Sequence, residues 1–187
     1  MSDAERVIAE TRAWVDRAVI GLNLCPFAKA PQVKGLVRYA ASAATDPAAL
    51  LADLIHELER LAESKPDKLE TTLLIHPDVL ANFADYNDFL EVAEDTVAEL
   101  DLEGVIQVAS FHPDYQFDGT ETEAISNATN RSPYPTLHLI REASLSRAVE
   151  AFPEAGMIFE ANIATLEALG AAGWAALQQQ CRDDAGP

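Results

Sequence analysis

Two stretches of this chain, TTLLIHPD at 71–78 and VIQVASFHPD at 105–114, run as apolar, β-favouring segments into the same His-Pro-Asp ending. Proline has no amide hydrogen to give a ladder, so Pro77 and Pro113 stop each strand at its histidine. As parallel neighbours, such strands would set His76 and His112 side by side at the carboxyl edge of a sheet. Open α/β sheets place their ligands at that edge.

The rest of the chain supplies the layers around such a sheet. Val7, Thr11, Trp14, Val15, Ala18, Val19 and Leu22 recur at helical spacing behind a Ser2/Glu5 capping box, and Cys25-Pro26 ends that helix. A first strand reads at 34–41. Asp46 caps and Pro47 opens a helix carrying Leu50, Leu51, Leu54, Ile55, Leu58 and Leu61. The second strand spans 69–76, a helix 85–100, and the third strand 105–112. Thr120 and Glu123 read as a capping box for a short helix to Asn127, and 136–142 as a fourth strand. Ser144 caps a further helix that Pro153 stops, and a last helical stretch through Ile163, Leu166 and Leu169 terminates at Gly170. The alternation predicts a single α/β domain over 1–180: about four strands in a mixed or mostly parallel sheet, packed with helices. A flexible polar tail is expected at 181–187.

Charge narrows the partners. With 13 basic against 31 acidic residues and a net charge of −18, the chain lacks the electropositive face that a duplex or an anionic membrane requires. No nucleic acid and no membrane are expected; a small anionic molecule or a protein is. There is no signal-like N-terminal segment and no apolar run of the ~18 residues that span a bilayer. The spacing of the two cysteines, Cys25 and Cys181, demands no disulfide, so a cytoplasmic chain with reduced thiols is expected.

Candidate chemistry gathers in three places. His76 and His112 can share a metal or a proton, with Asp78, Asp114 and Cys25 as further donors; equally, each ring can cap its own strand end. Cys25 follows a helix C-terminus, whose dipole does not favour a thiolate, and Leu24, Pro26 and Phe27 around it fit a buried thiol. In NATNRSPYP (127–135), Arg131 is the only fixed cation between Lys68 and Arg141, and with Asn130 and Ser132 it fits a carboxylate or phosphate; the competing reading is a Pro-rich connection. If the fourth strand is antiparallel to the third, this segment starts at the edge that holds His112. Asp114 can orient an imidazole or act as a base, and Tyr115 and Phe117 can line a pocket. His56 falls on a polar helix face; His138, inside the fourth strand, is either satisfied there or reaches a site from the sheet face. Glycine-rich phosphate loops, dinucleotide fingerprints, Gly-x-Ser-x-Gly and His-Glu-x-x-His are missing, so no nucleotide cofactor is expected and a divalent metal is the open possibility.

The segments IGLNLCPFAKAP, FHPDYQFDGT, NATNRSPYPTLHLIREAS and NIATLEALG resemble the bacterial family named domain of unknown function 1415, over residues 11–177. The resemblance implies a grouping in which the Cys25, His112 and Arg131 segments are characteristic; it implies no activity, cofactor or catalytic residue. Three functions are open from the residues. The first is a small cytoplasmic enzyme with hydrolase-like or proton-transfer chemistry at the sheet edge. There His112 serves as acid/base beside His76, Asp114 orients it, Cys25 is a nucleophile, and Arg131, Asn130, Ser132 and Tyr115 hold a small anionic substrate. The second is a non-catalytic module binding an acidic or phosphorylated metabolite or a protein. The third is a metal-binding protein using His76, His112 and Cys25.

Overall fold

The computed structural model describes residues 2–152 and 154–186, so Pro153 and Pro187, expected as a helix stop and as the end of the tail, lie outside it. Strands β1 (Val37–Ala41), β2 (Thr71–Ile75), β3 (Ile106–Phe111) and β4 (Thr136–Arg141) form one sheet in the order β1-β2-β4-β3. β1 and β2 run parallel, and β4 is antiparallel to both β2 and β3. The sheet is therefore mixed. β4 is inserted between the two His-Pro-Asp strands, which are not neighbours. Thr136, Leu137, Leu139 and Arg141 of β4 are buried, as a central strand requires, whereas only Ile106 of β3 is fully buried.

Among the described residues, six α-helical elements surround the sheet: α1 (Asp3–Trp14), α2 (Lys29–Val33), α3 (Pro47–Glu63), α4 (Phe83–Glu99), α5 (Glu142–Ala151) and α6 (Ile158–Ala185). α1 begins on the Ser2/Glu5 capping box and passes into a π-helical segment, Val15–Ile20. α3 begins on Asp46, whose carboxylate accepts the Ala49 amide at 2.9 Å, with Pro47 in the first turn. Other local signals resolve differently. Thr120 Oγ1 shares its one proton between Phe117 O at 2.7 Å and Asn127 Oδ1 at 2.9 Å instead of capping, and a 3-10 segment, Ile125–Asn130, replaces the expected short helix. Ser144 lies inside α5. Gly170, by contrast, acts as expected: at φ 69° and ψ 170° it is non-helical and ends the first of the two helical stretches that α6 joins across a kink. Residues 181–185, expected as a flexible tail, continue that helix: Cys181 and Ala185 are buried, and Asp184 pairs with Arg17 of the π segment.

Period-two alternation divides the strands between two cores. Leu74, Leu137, Leu139 and Ile106 face α3 and α4, where Leu50, Leu54, Leu58, Tyr86 and Phe89 pack on them. Tyr39, Leu73, Ile75 and Phe111 face the other way, onto Trp14, Val15, Val19 and Leu166. No helix among the described residues is long and apolar enough to cross a membrane. Both cysteines are free thiols.

Arg141 ends β4 beneath the C-terminus of α3. Its guanidinium donates to Leu61 O and Ser64 O at 2.5 Å each and to Leu69 O at 3.1 Å, although the residue is only 8% exposed. Leu61 O, in the last turn of α3, and Ser64 O, at its C-cap, have no helical amide left to accept from. Arg141→Met keeps the aliphatic bulk and strands all three acceptors; an unfolding free energy lower by about 3 kcal/mol is expected in urea titrations.

Candidate functional site

The sheet edge brings the expected histidines to one level but not into contact. His76 and His112 follow the last residues of β2 and β3, Ile75 and Phe111, which are both aligned with Thr136 of β4. With β4 between them, their backbones are ~9.6 Å apart, two strand spacings. Tyr86 of α4 fills the gap: its ring centroid lies 5.8 Å from that of His76 and 5.0 Å from that of His112. The Tyr86 hydroxyl donates to Thr136 O at 2.8 Å and accepts the Phe111 amide at 3.1 Å.

Both rings are fully buried and turned toward the backbone. His112 Nε2 lies 3.1 Å from Leu80 O, and its Nδ1 accepts the Asp114 amide at 3.0 Å, so the proton sits on Nε2 and both nitrogens are engaged. His76 Nδ1 donates to Val79 O at 3.0 Å, and its Nε2 is buried without a partner. The two imidazoles thus grip consecutive carbonyls of one turn. Leu80 in that turn has φ 59°, the left-handed region where a branched side chain is strained. Asp114 meets His112 through its amide; its side chain is exposed.

The NATNRSPYP segment does begin at the His112 edge, because β4 is antiparallel to β3. Its polar groups serve the neighbouring loop. Arg131 donates Nε to Tyr115 O at 3.1 Å and Nη2 to Thr122 O at 2.8 Å. Asn130 Nδ2 donates to Ser110 O, and Ser132 Oγ to Tyr134 O. Asn127 accepts the Phe117 amide and donates to Glu121 O. Tyr115 packs on Phe83 and Phe117.

Cys25 lies on the opposite face of the sheet from His76 and His112. Among the described residues, no group of three or more His, Cys, Asp or Glu side chains is placed to hold a metal ion. Cys25 lines a pocket of about 290 Å³ between the sheet and the helices of that face. Trp14, Val15 and Val19 form one wall, Phe27 and Ala28 continue it, and Leu145 and Ala148 of α5 close the far side. The floor is Leu73, His138 and Ala109, three residues side by side in the register of β2, β4 and β3. The small Ala109 leaves room beside the imidazole. α1 turns π-helical along this wall, and such segments recur at functional sites. Asn162 of α6 donates to Leu24 O at 2.8 Å and thereby fixes the Cys25 loop.

Burial without a charged partner sets the pocket's protonation. It pushes the Cys25 thiol up and lowers His138 to about 4. His138 Nε2 lies 2.7 Å from Thr71 Oγ1, which itself bonds Leu139 O at 2.7 Å. Trp14 Nε1 is buried without a partner, its ring edge-on to Phe111. The strand-edge pattern gave no sign of this pocket. The available signal was the placement of His138, on the alternation face shared with Thr136 and Ile140 and aimed into the layer with Trp14.

The family model described as "Protein of unknown function (DUF1415)" matches residues 6–176, and the chain belongs to that family. No curated protein and no solved structure matches it.

His76 gives a pH prediction. Desolvation lowers its pKa to about 4, so the folded chain holds it neutral while the unfolded chain takes up the proton below ~6.5. Between those values the unfolded state binds more protons, and stability falls as pH falls, by up to about 1.4 kcal/mol per pH unit for one histidine. Urea midpoints measured from pH 7.5 to 4 are expected to show this slope, reduced by about one proton in His76→Phe.

Proposed function

We propose that this member of the DUF1415 family is a binding protein for a small, mostly apolar molecule seated in the pocket over His138. The observation that carries the reading is the cavity itself: about 290 Å³, walled by apolar side chains, with one strand histidine in its floor. Protein interiors pack to crystal density and leave few voids larger than a water molecule. Ligand pockets of natural proteins run from ~300 Å³ upward, mostly apolar with a few placed polar groups.

The sheet edge supports a structural role in this reading. His112 has both nitrogens committed to backbone, and Arg131 already spans two carbonyls. Catalysis by a thiol and an imidazole is the second reading, favoured by Cys25 and His138 sharing the pocket. Burial leaves both groups neutral there, so a thiolate forms only if a substrate supplies the charge that stabilises it.

The test is uptake of 1-naphthylamine, an uncharged two-ring fluorophore at pH 7.5. Saturable one-to-one binding with blue-shifted emission is expected. Ala109→Phe, which fills the floor, and Ala148→Trp, which blocks the α5 side, should each weaken it by about tenfold or more. Linear, unsaturable uptake, or equal binding by both variants, would refute the pocket as the site.

A further inference from the structure

Among the polar side chains that line the pocket, Cys25, Glu70, Thr71, His138 and Ser144, His138 is the one in the floor whose hydrogen bonds fix where its lone pair lies. Among the described residues no lysine or arginine lines the pocket, and the acid in its lining is Glu70. The chain's net charge of −18 adds a field that repels anions. His138 is the remaining group able to offer a cation; burial without a charged partner keeps the ring neutral, and its hydrogen bonds set the tautomer. Thr71 Oγ1 carries a single proton and gives it to Leu139 O, since a carbonyl can only accept. The 2.7 Å contact between Thr71 Oγ1 and His138 Nε2 must then be donated by the imidazole. Nε2 holds the ring proton, and Nδ1 keeps its lone pair. Among the described residues nothing donates to Nδ1, while the half-buried ring lines the pocket floor.

This builds on the pocket reading above and narrows its ligand. We infer that the ligand is an uncharged molecule that gives one hydroxyl or N–H hydrogen to His138 Nδ1 and buries an apolar body against Trp14, Phe111 and Leu145. Its size follows from volume: an apolar cavity of ~150 Å³ takes one benzene ring, so about 290 Å³ takes roughly two. A carboxylate would lose its hydration, find no cation, and set its lone pairs against that of Nδ1. An ether or ketone meets the same mismatch. A bare hydrocarbon would bury Nδ1 unpaired, which costs more than the bond is worth when made. A site with a buried acceptor therefore discriminates against analogues that lack the donor far more sharply than an apolar wall discriminates by size.

Three probes of one shape separate these cases on the full-length chain at pH 7.5: 1-naphthol, 1-methoxynaphthalene and 1-naphthoate. Nuclear magnetic resonance with ¹⁵N-labelled histidine reads both the affinity and the His138 Nδ1 resonance. The expected result is that 1-naphthol binds and moves the Nδ1 resonance, the methyl ether binds at least about tenfold more weakly without moving it, and the carboxylate is weaker again. In His138→Phe the difference between naphthol and its ether should vanish. Equal binding of naphthol and ether by the wild-type protein, or tighter binding of naphthoate, overturns the donor assignment while leaving the pocket reading in place. A naphthol preference that persists in His138→Phe overturns the role of Nδ1. If neither the three probes nor 1-naphthylamine binds, the pocket reading falls and takes the ligand class with it. Should His138→Phe fail to fold, the three probes on the wild-type chain decide the donor assignment unaided.

Discussion

The insertion of β4 between β2 and β3 is the constraint on which the rest of the structure depends. Its alternating side chains belong to two different interiors: Leu137 and Leu139 lie in the core under α3 and α4, and His138 looks into the opposite layer. Its last residue, Arg141, closes the end of α3, and the segment leading into it ties down both His-Pro-Asp turns. His76 N donates to Pro135 O at 3.0 Å, and His112 N to Asn130 O at 3.1 Å. One strand thus sets the register of the sheet, joins the two cores and anchors the irregular chain at the carboxyl edge. A strand in that position must be buried on both faces, which explains why a histidine within it has to be satisfied internally or by something in the pocket.

The residues that look most like a binding site in the sequence mostly solve a backbone problem. Residues 111–135 contain little regular structure, and every amide and carbonyl removed from water there needs a partner. Asn127, Asn130 and Arg131 supply them, each reaching across to the Ser110–Thr122 stretch. The two histidines do the same for Val79 and Leu80, offsetting the left-handed strain at Leu80 by bonding the carbonyls on either side of it. Polar groups that are dense, varied and unrepeated are what a tightly folded loop requires, as well as what a catalytic site requires.

The sequence was informative wherever the signal was local. Strand positions, the capping box of α1, the Asp46 N-cap of α3 and its leucine stripe follow from periodicity and caps, and they appear in the structure within a few residues. The mixed four-stranded α/β sheet follows from the alternation of these elements. Strand order did not follow, because nothing in TLHLIR says which two strands it will separate, and that order decides whether His76 and His112 can touch. Thr120 and Ser144 carry valid local signals that tertiary contacts override, whereas the Gly170 signal holds. The pocket was the least legible feature. It is made by residues far apart in the chain, Val15 and Val19, Cys25, Ala109, His138 and Leu145, and by an absence of bulk at Ala109 that no motif records.

α5 forms one wall of that pocket, yet none of its ten residues is fully buried. Its hold on the body is a short apolar face, with Phe152 just beyond it edge-on to Phe27 at 6.1 Å. Free energies of local opening scale with buried contacts, so this helix can leave its seat at a fraction of the cost of unfolding the sheet. The floor belongs to the hydrogen-bonded sheet, and the opposite wall, Trp14, Val15 and Val19, is buried. For a ligand of the proposed kind, the α5 wall would therefore yield at lower cost than the sheet that forms the floor. In that reading, affinity would rest on the floor and exchange kinetics on the helix above it.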